Sequence, residues 1–180
     1  MLMRTHDLNE EPGMFRRIAA ATCAALMLAG AALAEQPKAP VGEVILEISG
    51  QLEAGEAVQL DMDMLRSLPE TEFETSTIWT EGVQRFTGVS LSDLLAHVGV
   101  EGGTLRAIAI NDYAVEIPVS DAEAGGPIIA YLHNGREMSV RNKGPLWIVY
   151  PFDGDARYKT EEYYARSIWQ LAAIEVINGS

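Results

Sequence analysis

A short basic loop carries the strongest indication of chemistry in this sequence. Arg141, Asn142 and Lys143 follow one another directly, and Gly144-Pro145 then shapes the chain. An arginine offers a planar fork of donors to an anion, and a lysine offers a compact positive charge. The 180-residue chain has a formal net charge of −13, so a cationic loop stands out against it. We therefore predict a binding site for a small anion at this loop, with a solubilising hairpin loop as the simpler alternative.

Other polar residues close to this loop could complete the site. His133 precedes Asn134-Gly135, a dipeptide that predicts a type I′ hairpin turn, and its imidazole could donate to a ligand oxygen. Asn111 and Tyr113 lie at the junction of two predicted strands and could line the same cleft. Asn111-Asp112 is also typical of a simple turn, and residue type alone favours that interpretation.

The tryptophans are the third group of candidates. Trp79, Trp147 and Trp169 could wall a pocket for a flat ligand, although such side chains more often pack in a core. Two histidines follow residue 34, and the single cysteine of the sequence is Cys23. The sequence therefore does not predict a dedicated transition-metal site.

Short alternating and apolar segments must position these residues. We predict one helix capped by Asp61, and another capped by Ser90 with Asp93 at the capping-box position. A helical turn is predicted at 119–124, and a mobile tyrosine-rich lip or a solvated loop at 158–164. The predicted strands are 44–49, 70–79, 85–89, 105–110, 113–117, 128–132, 137–140, 146–150 and one within 167–177. Together these elements predict the α+β class, as a single mixed and mainly β domain with a few short helices.

The first 34 residues predict a secretory signal that is not part of the fold. Arg16-Arg17 precede an apolar run, and Ala32-Leu33-Ala34 fits a small-x-small cleavage site. The apolar run is shorter than the ~20 residues that a membrane span needs, so no stable span is expected after cleavage. We expect cleavage after residue 34 and a periplasmic protein, with either Met1 or Met14 as the start.

Cleavage would leave a leader at 35–42 and one domain at 43–180. The removed segment contains three basic and three acidic residues, so the remaining domain keeps the net charge of −13. That charge argues against nucleic acid and anionic membrane surfaces as partners. The domain would also contain no cysteine, hence no disulfide and no thiolate.

Five motifs follow one another in a characteristic order between residues 44 and 176. They are FTGVSLSDLL from Phe86, AINDYAVEIP from Ala109, IIAYLHNGREM from Ile128, RNKGPLWIVYP from Arg141 and SIWQLAAIEV from Ser167. In this order the chain resembles the sulfite-oxidase-type molybdopterin-binding domain family, in particular its small exported bacterial members. The resemblance implies a largely β fold that clasps the tail of molybdopterin in a basic cleft. It also implies a cysteine thiolate that ligates molybdenum.

Two departures from the family pattern affect the chemistry and leave the scaffold intact. Where the resemblance implies Cys-x-Glu-Gly, this chain has Trp79-Thr80-Glu81-Gly82. Where it implies Gly-Pro-Leu-Arg, the chain has Gly144-Pro145-Leu146-Trp147, so an aromatic side chain replaces an anion-binding arginine. A thiolate-ligated molybdenum centre therefore cannot form, whereas a pterin could still bind through Arg141 and Lys143.

Three functions are compatible with this sequence. The first is an exported binding or accessory domain that holds a small anion, a pterin-like ligand or a partner protein without redox catalysis. The second is an active molybdopterin-dependent oxidoreductase that passes electrons to a partner protein. The third is a structural or signalling domain whose cleft is filled by Trp79 and Trp147.

Overall fold

Strands account for most of the architecture. The computed structural model describes residues 39–53 and 55–177, and every element named below lies within these ranges. The strands are β1 (Leu46–Gly50), β2 (Val58–Leu60), β3 (Glu70–Ser76), β4 (Val83–Ser90), β5 (Thr104–Ala109), β6 (Ala114–Pro118), β7 (Ile128–His133), β8 (Arg136–Glu137), β9 (Trp147–Val149) and β10 (Leu171–Ile177). The helices are α1 (Met62–Ser67), α2 (Leu91–His97) and α3 (Glu161–Arg166), and 3₁₀ turns cover Val119–Asp121, Val140–Asn142 and Ala156–Tyr158. None of the helices in these ranges is long and apolar enough to cross a membrane.

The strands form two five-stranded sheets. The first has the order β2-β1-β10-β5-β6, and the second has the order β3-β4-β7-β8 with β9 also paired to β7. β1 and β10 run parallel, while the other pairs run antiparallel. The prediction of a mixed, mainly β fold with a few short helices is confirmed.

Helices α1 and α2 begin where the capping residues predict. Ser90 Oγ accepts a hydrogen bond from the backbone N–H of Asp93 at 2.9 Å, which satisfies a donor at the start of α2. Asp61 does the same for α1 by accepting from Met64 N at 2.8 Å. The leucines of α2 then point into the core, and Leu91, Leu94 and Leu95 are all buried.

The hairpin between β7 and β8 has the predicted turn. Asn134 and Gly135 both have positive φ angles, of 51° and 74°. This is the backbone conformation that a type I′ turn requires, and these residue types adopt it at low cost. The turn brings the basic loop back alongside the end of β7.

The prediction of a strand at 137–140 is wrong beyond its first residue, because β8 ends at Glu137. The carbonyl of Ser139 accepts hydrogen bonds from Asn142 N at 2.7 Å and from Gly144 N at 2.9 Å. These local bonds close a 3₁₀ turn, which replaces pairing with β7. Lys143 follows in the left-handed conformation, with φ of 68°.

The tyrosine-rich segment at 158–164 is also different from the prediction of a lip or loop. Tyr158 is buried at the end of a 3₁₀ turn, and α3 begins at Glu161. Tyr163 packs edge-on against Tyr150, with ring centroids 5.1 Å apart. Tyr164 lines a cavity that Trp79 also lines.

Candidate functional site

Three tryptophans that are far apart in sequence meet in one cluster. The ring centroid of Trp79 lies 5.9 Å from that of Trp147 and 5.5 Å from that of Trp169, with the rings edge-on to one another. Trp147 and Trp169 are 6.3 Å apart. Edge-to-face contacts at these distances are favourable for aromatic rings. We call these three side chains the tryptophan cluster.

Local structure holds each member of the cluster in place. Trp147 lies in β9 and forms an isolated bridge with Trp169, just before β10. Trp79 lies in the turn between β3 and β4, where Thr77 Oγ1 accepts from its backbone N–H at 3.1 Å. Thr77 and Thr80 also share a hydroxyl hydrogen bond of 2.8 Å, which closes the turn that carries the indole.

Two members of the tryptophan cluster, Trp79 and Trp169, line a cavity of about 400 Å³. We call it the aromatic cavity. Three of its rings come from separate segments: Trp79, Tyr164 at α3 and Trp169. Tyr113 and Asn111 complete the opening from the β5–β6 turn. The volume falls in the range of small-molecule and side-chain sites, which are mostly apolar with a few polar groups.

Asn111 and Tyr113 both form a simple turn and line a cleft, the two interpretations that the sequence left open. Asn111 Oδ1 accepts a hydrogen bond from the backbone N–H of Tyr113 at 3.3 Å, and Asp112 has a φ of 64°. The segment is therefore a turn held by its own side chain. Both residues are exposed and line the aromatic cavity, so the structure brings them together with Trp79.

A second depression, of about 470 Å³, contains the basic loop. His133, Arg141, Asn142 and Lys143 line it, and so does Arg136. We call it the basic depression. Among the described residues, no carboxylate lies within 4.0 Å of the charged groups of its arginines or lysine. The surface therefore presents unneutralised positive charge in a protein of net charge −13.

The single acidic residue in the lining of the basic depression is already neutralised elsewhere. Glu137 Oε1 accepts from Arg66 Nη2 of α1 at 2.7 Å. The carboxylate of Glu137 thus pairs with α1, and the N–H donors of the basic depression remain available to an anion.

Lys143 joins the two depressions. Its ammonium lies 4.4 Å from the ring centroid of Trp169 and 5.5 Å from that of Trp147. Its carbonyl accepts from the backbone N–H of Gln170, which lines the aromatic cavity. The aromatic cavity and the basic depression consequently share a wall, and the nine candidate residues from the sequence belong to one region.

His133 is the neutral polar group of this region. Its Nε2 lies 2.8 Å from Gln84 Oε1, and its ring stacks on Phe86 with centroids 5.0 Å apart. Burial, and then the positive charge of Lys143, hold the pKa of His133 below its ordinary value. The imidazole is therefore uncharged at neutral pH, and its single N–H, on Nε2, donates to Gln84 Oε1.

Trp147 requires a correction to its predicted role. Its side chain has no exposed surface and lines neither depression. The indole Nε1 donates to the carbonyl of Ser167 at 3.2 Å, inside the core. Trp147 thus supports the other two rings from behind and cannot contact a ligand directly.

Ser167, Gln170 and Tyr164 line the aromatic cavity but were not among the site residues predicted from the sequence. Ser167 is 2% exposed, and its hydroxyl has no hydrogen-bond partner in the described structure. A buried hydroxyl without a partner costs about 1–3 kcal/mol, and a bound group could recover that cost. No local pattern indicates this role, because Ser167 is an ordinary residue at the end of a helix.

Comparisons with known proteins agree with the architecture. A family model described as the oxidoreductase molybdopterin binding domain matches residues 35–156. The crystal structure of the sulfane dehydrogenase SoxCD from Paracoccus pantotrophus is similar in fold, with a TM-score of 0.58 and 19% sequence identity. The similarity covers 74% of this chain and 38% of that chain, so this chain corresponds to well under half of the SoxCD chain. No curated protein sequence matches.

Proposed function

Because the chain belongs to the oxidoreductase molybdopterin-binding domain family, we propose that it is an exported binding or accessory domain without thiolate–molybdenum redox catalysis. Its ligand is a small anion, or a pterin-like molecule with an anionic tail, held at the basic depression. The observation that carries this proposal is Trp79. It stands where the family resemblance implies the metal-ligating cysteine, and it packs against Trp147 and Trp169.

The donor set does not fit a thiolate-ligated molybdenum. An indole N–H donates hydrogen bonds and offers no lone pair to a metal. The single cysteine of the sequence, Cys23, lies in the predicted signal and outside the described residues. In the ranges 39–53 and 55–177, no group of three or more histidine, cysteine, aspartate or glutamate side chains could hold a metal ion.

The donors of the basic depression do fit an anion. Arg141 and Lys143 supply charge, and the side-chain amide of Asn142 supplies neutral N–H groups beside them. The net charge of −13 repels anions from the rest of the surface, so a ligand that binds must gain its energy locally. Binding should therefore weaken as the salt concentration rises.

Metal and pterin content distinguishes this proposal from an active oxidoreductase. Protein purified from a host that makes molybdopterin is analysed for molybdenum by mass spectrometry and for oxidised pterin by chromatography. The proposal expects no stoichiometric molybdenum. Stoichiometric molybdenum together with pterin would overturn it and establish the oxidoreductase instead. Pterin without molybdenum would identify the ligand class within the proposal.

Thermal shifts with inorganic phosphate and sulfate test the location of the site. A ligand that binds only the folded state raises Tm by mass action. We expect a smaller shift in Arg141→Ala and Lys143→Ala than in the parent. Arg106→Ala is the matched control. Arg106 is exposed in β5 and is paired with Glu175 of β10, and both strands belong to the first sheet, whereas the basic depression adjoins β7 and β8 of the second. Equal shifts in all four proteins would exclude the basic depression.

A further inference from the structure

Several exposed apolar side chains belong to, or directly adjoin, residues that line the aromatic cavity. Among the described residues, seven large hydrophobic side chains are exposed. Four of them are associated with this cavity and are 49–61% exposed: Ile78, Ile110, Tyr113 and Val140. Scattered single hydrophobic residues are normal on a protein surface, but a contiguous apolar patch marks an interaction site. We call these four residues the apolar rim.

Hydrogen bonds connect the apolar rim to the cavity. Ile110 N donates to the carbonyl of Gln170 at 2.9 Å, and Gln170 Nε2 donates to the carbonyl of Val140 at 2.6 Å. Gln170 itself lines the cavity, as does Tyr113. Ile78 directly precedes Trp79 in the turn between β3 and β4. The apolar rim therefore belongs to the same backbone framework as the cavity walls.

The interior of the cavity suits an aromatic side chain that carries a hydrogen-bonding group. Trp79 lies 6.0 Å from Tyr164 and 5.5 Å from Trp169, so the walls present ring edges and faces. Ser167, whose buried hydroxyl has no hydrogen-bond partner in the described structure, also lines this cavity. An indole or phenol ring that enters the cavity would pack against these rings, and its N–H or O–H would supply the missing hydrogen bond.

The positive charge beside the cavity favours acidic residues next to that aromatic side chain. Lys143 lies over the ring of Trp169, and Arg141 lies in the basic depression without a described carboxylate partner. Positive charge next to an apolar pocket favours acidic groups on the incoming molecule. A second copy of this chain is disfavoured, because both copies carry a net charge of −13.

We propose that the aromatic cavity and the apolar rim bind an exposed segment of a partner protein, in which a tryptophan or tyrosine is flanked by acidic residues. The aromatic side chain enters the cavity and pairs with Ser167, and the apolar rim excludes water around it. The flanking carboxylates lie on the basic depression. This arrangement has the form of an interface hot spot, in which one buried aromatic residue supplies most of the affinity.

Calorimetric titration with the capped peptides DEWED and DEAED tests the proposal. We expect DEWED to bind the parent protein at least tenfold more tightly than DEAED. Ile110→Ser with Val140→Ser should weaken DEWED binding about tenfold. Val41→Ser with Val44→Ser is the matched control and should bind like the parent, since both valines are exposed but neither they nor their chain neighbours line the cavity. Equal binding of the two peptides, or equal binding by the rim variant and the parent, would overturn the proposal.

Ser167→Ala provides a second readout that separates binding from folding. Removing a buried hydroxyl without a partner should leave Tm unchanged or raise it, while DEWED binds several-fold more weakly. A loss of Tm, with peptide affinity unchanged, would overturn the role of Ser167. Phosphate binding should be the same in the rim variant and the parent, so failure of the anion proposal and failure of this one are distinguishable.

Discussion

At the scale of single residues, Trp79 separates two kinds of chemistry on one scaffold. A thiolate at this position would be a soft donor for a metal, whereas an indole can only pack and donate one hydrogen bond. The structure shows the indole packed against Trp147 and Trp169, so its replacement by a smaller side chain would open space in the cluster. The side chain at position 79 thus determines whether this position can ligate a metal or only pack as an aromatic ring.

We expect Lys143→Gln to raise the pKa of His133. Burial lowers this pKa most, and the charge of Lys143 lowers it further, so removing the charge should bring the pKa closer to 6.5 without reaching it. The measurement is an NMR titration of the imidazole signals. Lys143→Arg retains the charge and should leave the pKa low. An unchanged pKa in Lys143→Gln would show that the charge of Lys143 does not lower the pKa of His133.

The same pKa has a consequence for stability. Because the pKa of His133 is lower in the folded than in the unfolded protein, the unfolded state binds more protons below pH 6.5. The stability associated with neutral His133 is present above pH 6.5 and is lost as the pH falls through the depressed folded pKa. An anion bound at Lys143 would offset that positive charge and raise the pKa again.

The candidate site could be predicted from sequence only in part. Residue types and their resemblance to a family indicated Arg141, Lys143 and Trp79, because charge and aromaticity are visible in the sequence. Ser167 was missed, since its unpartnered hydroxyl results from the end of α3 lying against the cavity. Trp147 was assigned to the ligand because the sequence cannot show that β9 is covered on both faces.

At the scale of elements, β4 and β7 approach each other closely at Gly88. Gly88 of β4 faces β7 where the pairing register shifts, between Thr87 and Gly88. A Cβ atom at Gly88 would lie 2.1 Å from the carbonyl oxygen of Ile129. The strands can therefore pair at this point only because residue 88 has no side chain.

Gly88→Ala should destabilise the protein by about 2 kcal/mol or more, because a backbone carbonyl of a central strand must move. Urea denaturation would measure the loss as a lower midpoint with an unchanged slope. Gly102→Ala is the control, since a Cβ there meets no atom within 4 Å. A Gly88→Ala variant as stable as the control would contradict the close contact.

A buried polar network joins α3 to β9 and to the turn after β6. Tyr150, just after β9, donates its hydroxyl to Asp121 Oδ2 at 2.7 Å, and Arg166 Nη1 donates to the same oxygen at 3.0 Å. The side chains of Asp121 and Arg166 are 7% and 15% exposed. Burial, and then the charge of Asp121, raise the pKa of Tyr150, so its hydroxyl remains a donor at neutral pH.

Asp121→Ala should cost about 3 kcal/mol of unfolding free energy, because it leaves a largely buried guanidinium with only the exposed carboxylate of Glu162 as an ionic partner. Tyr150→Phe, which removes one hydrogen bond, should cost about 1 kcal/mol. Glu175→Ala breaks the exposed pair with Arg106 and should change stability by less than about 1 kcal/mol. Denaturation midpoints of the three variants check this order, and similar losses in all three would refute it.

Elements with strong local signals were predicted well, and elements that depend on tertiary contacts were not. The Ser90 cap and the Asn134-Gly135 turn are each specified by a few adjacent residues, and both are confirmed. α3 has only six residues and is held by packing of Tyr163 on Tyr150. A helix this short is not stable alone, so its sequence looks like a loop.

At the scale of the whole molecule, the acidic net charge and the proposed export both limit which ligands and partners the protein can bind. A net charge of −13 keeps the protein apart from nucleic acid and anionic membranes, and it leaves the basic depression as a local exception. The export that we propose would place the domain, and its ligand or partner, outside the cytoplasm. The family assignment does not depend on this location, which rests on the first 34 residues alone.

We expect expression of the full chain in a Gram-negative host to yield a periplasmic protein whose first residue is Glu35. The small-x-small pattern at Ala32-Leu33-Ala34 is the expected cleavage site. Intact mass and N-terminal sequencing of the periplasmic fraction check it. Ala34→Pro should block cleavage and leave precursor in the membrane fraction. An uncleaved protein in the cytoplasm would contradict the assignment of a signal.

The tryptophan cluster also gives this protein an optical property. The sequence contains three tryptophans, and all three lie in the cluster, with ring centroids 5.5–6.3 Å apart. Indole emission at neutral pH therefore originates entirely at the candidate site, and rings this close exchange excitation energy and couple in circular dichroism. A change at the site alters these spectra without any added label. A rearrangement elsewhere in the fold leaves them unchanged as long as the cluster keeps its packing.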